Sequence, residues 1–286
     1  MKQIGFIGVG IMGKPMVRNL MKAGFQVCIY ARHPEKVRDV VTEGAELCSS
    51  IAECVKKSQA VITMVGFPQD VESVYFAPDN ILDSAAEGTY LIDMTTTSPK
   101  LAEKIYEEGS RRGLHVLDAP VTGGESGAIR GVLSILAGGD QPDFEACTPV
   151  FQAMGTNINY QGPAGSGQHC KMVNQIMIAG TISGICEAFA YMKAKGLDPD
   201  TVMRSVATGA AGSHQLDSNG KKILEGDEAP GFFIKHFIKD MRLAQQEARD
   251  SNLDLEILGD TLRHYEHLEA QGLGDLGTQA LQRYYP

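Results

Sequence analysis

The first half of the chain alternates short apolar, β-branched runs with helical stretches: IGFIG, PMVRNLMKAG, FQVCIY, PEKVRDVVTEG, AVITMV, YLIDM, LHVLDAP and LSILAGG. That alternation predicts a parallel sheet wrapped by helices on both faces. From about residue 164 the strand pattern gives way to helical apolar spacing, in AGTISGICEAFAYMKAKG, DPDTVMRSVATG, FIKHFIKDMRLAQQEARDSN and ILGDTLRHYEHLEAQG. The expected architecture is α/β, a doubly wound sheet domain over residues 1–163 followed by an all-helical domain over residues 164–286. The GPAGSG turn at 162–167 marks the boundary, and residues 164–193 are the long helix that joins the halves.

That helix carries no charge from Met172 to Cys186. Lys171 and Glu187 bracket fifteen residues, short of the ~20 that span a bilayer, so it reads as a buried core helix. Ala179, Gly180, Ser183 and Gly184 form a small-residue stripe that lets another helix approach closely. The expectation is a homodimer or homotetramer built through the helical domain.

Composition narrows the class. With 286 residues, 43% hydrophobic, the chain can bury a sizeable core, and its net charge of -9 disfavours nucleic-acid and anionic-membrane surfaces. The six cysteines (Cys28, Cys48, Cys54, Cys147, Cys170, Cys186) show no CxxC spacing and read as small hydrophobes in a reducing, cytoplasmic setting, with no metal site expected. The apolar start IGFIGVGIMG is punctuated by glycine and lacks a small-residue cleavage pattern, which argues against secretion.

The same start carries chemistry. Gly8, Gly10 and Gly13 form GxGxxG between a strand and a helix beginning near Met12, the setting of a Rossmann-type dinucleotide loop. Gly8 permits the tight turn, Gly10 lets a pyrophosphate reach the backbone, and Gly13 allows close helix packing, with Ile11 and Met12 completing the loop. A glycine turn without ligand is the competing reading. The second strand ends Ile29-Tyr30-Ala31-Arg32-His33, with no acid for a ribose hydroxyl. The planar fork of Arg32 suits a 2′-phosphate, so NADP(H) is preferred and NAD(H) possible. Arg32 stacking on adenine, or simply facing solvent, stays open.

Sheets of this type bind ligands beyond the carboxyl ends of their strands. Three segments fall there: Met64-Val65-Gly66-Phe67-Pro68, Asp93-Met94-Thr95-Thr96-Thr97-Ser98-Pro99 and Asp118-Ala119-Pro120-Val121-Thr122-Gly123-Gly124. Thr122 followed by two glycines can turn consecutive N–H groups to an anion, although a plain turn has the same sequence. In AGSGQHCKMVNQ, Lys171, Asn174 and Gln175 stand at i, i+3 and i+4, one face of a helical turn. His169 and Cys170, adjacent and about 100° apart on a helix, have no further ligands or base nearby in sequence and are assigned to packing or the site rim.

In order along the chain, GFIGVGIMGKPMVRNLMKAG, ITMV, LIDMTTTSP, DAPVTGG, GSGQHCKMVNQ and GFFIKHFIKD closely resemble the β-hydroxyacid dehydrogenase family, which includes 3-hydroxyisobutyrate dehydrogenases and tartronate semialdehyde reductases. The resemblance implies that Lys171 is the catalytic lysine with Asn174 beside it, and that Thr122, Gly123 and Gly124 hold the substrate carboxylate. It places Thr96 near the nicotinamide and against substrate, Val65 on the cofactor, and Lys239 closing the site from the helical domain with Asp240 supporting it. Phe232 and Phe233 would line the pocket or core. Thr122 stands where serine is more familiar, Gln175 where many members carry a second asparagine, and Glu125 in GGESGA is nearer the tartronate semialdehyde reductases; GAAGSHQLDS leans the same way.

The implied reaction interconverts a small β-hydroxy acid and its semialdehyde or keto acid by hydride transfer. Charge left on the carbonyl oxygen needs a proton donor, the role of Lys171 as general acid/base. Two other readings remain: a non-catalytic NADP(H)-binding sensor, which would have no reason to keep Lys171, Asn174 and Thr122 together, and an imine reductase on the same scaffold, a branch that generally lacks this lysine.

Overall fold

In a computed structural model that describes residues 1–286, the apolar runs of the first half become strands, and three further strands join them. They are β1 (Gln3–Ile7), β2 (Gln26–Tyr30), β3 (Glu46–Leu47), β4 (Ala60–Thr63), β5 (Tyr90–Asp93), β6 (His115–Asp118), β7 (Val121–Thr122), β8 (Leu133–Gly139) and β9 (Gly155–Gly162). The sheet order is β3-β2-β1-β4-β5-β6-β8-β7, with β9 on β8. The first six strands are parallel, in the order of a doubly wound dinucleotide-binding sheet.

Strand β8 departs from the expected parallel arrangement: it runs antiparallel to both β6 and β7. Only residues 123–132 separate β7 from β8, fewer than the dozen or more that a parallel crossover needs. Strand β9, GTNINYQG, was not anticipated because it is a largely exposed edge strand, so no buried face imprints alternation on its sequence.

Side chains of the central strands alternate between two buried faces. Ile4, Phe6, Val27 and Ile29 pack on one face with Met16 and Leu20 of the helix Gly13–Lys22. Ile7, Cys28, Val61 and Leu91 pack on the other with Val71, Tyr75 and Ile105. Both faces are covered, so these strands read as continuous apolar runs.

The chain divides into two compact units, Met1–Lys171 and Met172–Pro286. The second is helical, with Pro199–Val206, Ile234–Asp250 and Glu256–Ala270 as its main helices besides the long one. Its core joins Ile182 and Cys186 to Phe237, Met241 and Ala244 and to Leu258, Leu262 and Tyr265. The long helix, Ser166–Ala194, has 29 residues and is long and apolar enough by composition to cross a membrane. Its buried positions nevertheless include Gln168 and Gln175, whose amides are bonded within the protein, as expected of a core helix.

Candidate active site

The glycine loop is shaped by what its residues lack. At Gly8, with φ +101°, a Cβ would fall 2.2 Å from the Met64 carbonyl oxygen and 3.0 Å from Val65 Cγ1; at Gly13 it would fall 2.2 Å from the Gly8 oxygen. Gly10 is different, because a Cβ there would meet nothing within 4 Å. Two glycines close the turn against β4 and the helix, and the third leaves an open approach to the backbone. No acidic residue stands in the first turn of the helix Gly13–Lys22, so its N-terminal N–H groups face no competing charge. These features fit a bound pyrophosphate. Ile11 is exposed, and Met12 caps the helix without a side-chain bond.

Arg32, two residues past β2, is 70% exposed and pairs with Asp70 at 3.0 Å. An ion pair this exposed contributes ~0–1 kcal/mol, so the guanidinium is held in place yet easily released to another anion. Asp70, in the first turn of the helix Pro68–Phe76, also accepts from the Phe67 N–H at 3.1 Å; it was not foreseen as a partner, since it is distant in sequence from the loop that carries Arg32.

Beyond β4 and β5 the loops are cross-tied. The Val65 N–H donates to Thr95 Oγ1 at 3.0 Å, and Asp93, buried, accepts from Thr63 Oγ1 at 2.7 Å and from the Thr95 N–H at 3.1 Å. Gln168 completes the tie: its Nε2 donates to the Thr95 oxygen at 2.8 Å and its Oε1 accepts from the Thr97 N–H at 3.0 Å. Thr96, the predicted residue, sits between two backbone groups pinned by one buried amide. Gln168 is fully buried and was missed, although it lies inside the GSGQHCK motif.

The start of the long helix is fixed from β6. Both Asp118 oxygens accept backbone N–H groups at 2.8 Å, one from Gly165 and one from Gln168. Burial pushes this carboxyl up to about 7, against the opposing pull of those amides. A Cβ at Gly167 would lie 2.3 Å from the Leu136 oxygen and 2.7 Å from the Asp118 oxygen, so the GSG spacing is required for the helix to begin this close to the sheet. Lys171 follows within the first two turns and is only 7% exposed. His169 is exposed, and burial raises the Cys170 thiol above its ordinary value, which does not favour a thiolate nucleophile.

Thr122 lies on β7, opposite Ser134 of β8. Gly123 and Gly124 follow with φ +127° and +61°, and Gly124 opens the helix Gly124–Arg130. Their N–H groups precede the first intrahelical bond and are available to an acceptor.

In the helical unit, Asn174 Nδ2 donates to Gln175 Oε1 at 2.6 Å and Gln175 Nε2 donates to Asp240 Oδ2 at 2.6 Å. Lys239 Nζ stands 2.9 Å from Asp240 Oδ1. Gln175, whose sequence position left its role open, links Asn174 to the Lys239–Asp240 pair. Phe232 packs on the helical core, its ring 5.7 Å from that of Phe237, while the Phe233 ring meets His236. A groove of about 640 Å³ in this unit, lined by Phe189, Met192, Leu224 and Tyr285 among others, contains none of the predicted site residues.

Residues 3–162 match the family described as the NAD binding domain of 6-phosphogluconate dehydrogenase, and residues 165–285 that described as NAD-binding of NADP-dependent 3-hydroxyisobutyrate dehydrogenase. The chain is 46% identical over 284 residues to an uncharacterized oxidoreductase of Bacillus subtilis, covering 99% of each. It is 34% identical over 279 residues to the 2-hydroxy-3-oxopropionate reductase of Escherichia coli, covering 98% of this chain and 95% of that one. A solved structure of Mycobacterium tuberculosis 3-hydroxyisobutyrate dehydrogenase with L-serine superposes with a TM-score of 0.90 at 27% identity, over 99% of this chain and 98% of that one. With the glycine loop and the anchored lysine helix in place, these matches lead to one conclusion: the chain belongs to the β-hydroxyacid dehydrogenase family and is an NAD(P)-dependent oxidoreductase.

Proposed function

We propose that the enzyme prefers NADPH and interconverts a small β-hydroxy acid with its semialdehyde, with Lys171 as general acid/base. The observation that carries this reading is the burial of Lys171 on a helix whose start is bonded to Asp118. An amine held there has a restricted position, and a proton donor must lie within hydrogen-bond reach of the reacting oxygen. Bound cofactor supplies or accepts the hydride. Lys171 delivers or removes the proton on the substrate oxygen, Asn174 orients the amine from the same helical turn, and Thr122 with the N–H groups of Gly123 and Gly124 binds the carboxylate. Thr96 contacts both substrate and nicotinamide. Gly8, Gly10, Ile11, Met12 and Gly13 cradle the phosphates, Val65 flanks them, Arg32 exchanges Asp70 for the 2′-phosphate, and Lys239 with Asp240 serves the cofactor.

For the substrate, the E. coli relative is named for 2-hydroxy-3-oxopropionate and the M. tuberculosis structure contains L-serine. Both molecules are three-carbon acids oxygenated at C3, and Glu125 in GGESGA leans toward the former. The test is initial rates with tartronate semialdehyde, methylmalonate semialdehyde, L-serine and 3-hydroxyisobutyrate, each with both cofactors in the appropriate redox state. NADPH-dependent reduction of tartronate semialdehyde, faster than with NADH, is the expected result. Turnover of cyclic imines alone would replace the reading by imine reduction, and tight NADPH binding with no turnover would replace it by a sensor.

The same proposal places the enzyme in the cytoplasm as a homodimer or homotetramer, with residues 1–163 binding cofactor and 164–286 serving substrate and assembly. A monomer by light scattering at micromolar concentration would remove the assembly part.

A further inference from the structure

Three cysteines from three separate backbone segments converge on one face of the sheet. Cys28 lies on β2, Cys48 just beyond β3 and Cys54 on the helix Ile51–Lys56, and their Sγ atoms all lie within 4.8 Å of one another. Cys28 Sγ and Cys54 Sγ are 3.7 Å apart, and Ser58 Oγ is 3.3 Å from Cys28 Sγ. All three thiols are unbridged and buried.

The neighbouring strand makes room for them. Gly5 of β1 pairs with Cys28, and a Cβ there would come within 2.5 Å of Ser58 Oγ and 3.2 Å of Cys54 Sγ. A glycine inside a strand marks a place where another group approaches the backbone closely. Here the approaching groups are a thiol and a hydroxyl.

A thiolate–metal bond of about 2.3 Å sets sulfur–sulfur separations of about 3.8 Å in tetrahedral and 4.0 Å in trigonal coordination. The Cys28–Cys54 separation already has that value, and side-chain rotation within 4.8 Å brings in the third sulfur. The three residues come from three backbone segments that are separately anchored: Cys28 by pairing with β1, Cys48 by its N–H bond to the Ile29 oxygen at 2.8 Å, and Cys54 by the helix capped at Ser50. Their side chains, not the backbone, would do the adjusting.

We propose that Cys28, Cys48 and Cys54 form a metal site for a soft, closed-shell thiophilic ion, with Ser58 Oγ adjacent as a fourth donor. Thiolate donors select Zn²⁺, Cd²⁺ and Cu⁺ over hard cations. On binding, three S–H bonds break, their protons pass to solvent and three metal–sulfur bonds form, with no change of oxidation state. The site is separate from the glycine loop and the Lys171 helix start, and it fastens β2, β3 and the following helix together.

The test titrates reduced full-length protein anaerobically with Cd²⁺ and with Zn²⁺. The expected result is one tight Cd²⁺ per chain, a thiolate-to-metal charge-transfer absorbance, and a raised unfolding temperature. In matched samples with and without the ion, alkylated in mild denaturant so that the buried thiols are reached, mass-spectrometric mapping should show Cys28, Cys48 and Cys54 protected only when the ion is present, while Cys170 is modified in both. The variants Cys28→Ser and Cys54→Ala should bind at least about 100-fold more weakly, since even loss of a group supporting a ligand costs 10–100-fold. Cys186→Ser should bind as the parent does. The proposal is overturned if the parent takes up no Cd²⁺, if binding survives in both cluster variants, or if protection falls on Cys170. The alkylation map on the parent decides the matter even if the variants fail to fold.

Discussion

Gly8, Gly10 and Gly13 of the sheet unit act through backbone left bare, and Asp118 and Gln168 of that unit hold backbone N–H and C=O groups in turn. In the helical unit the order is reversed: Asn174, Gln175, Asp240 and Lys239 hold one another, side chain to side chain. Backbone presentation ties function to short local motifs with strict residue types. Side-chain chains tie it to pairs that are distant in sequence, here residues 175 and 240, and tolerate exchange of Asn for Gln provided the reach is preserved. The two halves of one enzyme should therefore respond differently to substitution.

The largest effect should come from Lys171→Ala, which is expected to lower turnover by about 10²–10⁴-fold while NADPH binding, followed by nucleotide fluorescence, stays near the parent value. Retention of full turnover would remove the acid/base role. Next is Asp118→Asn. In the parent this carboxyl is held up to about 7 by burial, above an unfolded value near 3.9. Between those two values the folded state keeps a proton that the unfolded state has released. Raising the pH through that window therefore removes parental stability, on the order of a few kcal/mol, and nothing further is lost above it. The variant should lack this slope in unfolding temperature against pH, and should also lose an amide acceptor at the start of the lysine helix.

A sharper test of backbone presentation lies within the glycine loop. Gly13→Ala should destabilise the fold by ~1–3 kcal/mol through overpacking, whereas Gly10→Ala, with open space around the new methyl, should leave chemical denaturation unchanged and weaken only cofactor binding. Equal destabilisation by both would break the distinction. For the side-chain network, Gln175→Ala leaves Asp240 without its amide donor and should cost ~1–3 kcal/mol, with Gln175→Asn restoring part of it. Smallest is Arg32→Gln: KM for NADPH should rise by about tenfold, the loss of one charge-assisted contact, with KM for NADH unchanged.

The legibility of the molecule follows the same division. The glycine loop and the strand ends were visible because each needs a residue type that few alternatives supply. Buried Gln168 lay in plain view within a motif, but nothing local distinguishes an amide that bridges residues 95 and 97 from one that faces solvent. Strand β9 was hidden by its polar, edge-exposed sequence. The antiparallel turn of β8 was hidden because a run such as LSILAGG specifies burial and not direction. Arg32 was recognised for its charge, yet its Asp70 partner comes from the first turn of a helix distant in sequence, and the convergence of Cys28, Cys48 and Cys54 depends on strand order that spacing does not encode.

The compact sheet unit extends through Lys171 and ends there, in the second turn of a 29-residue helix. Lys171 thus belongs to the unit that carries the glycine loop, although the rest of its helix belongs to the other. A recombination joint placed just after this residue would exchange the helical half between relatives and leave Lys171 on a helix start still bonded to Asp118. Such chimeras offer a route by which acceptance of new acids can evolve while the proposed proton donor keeps its setting.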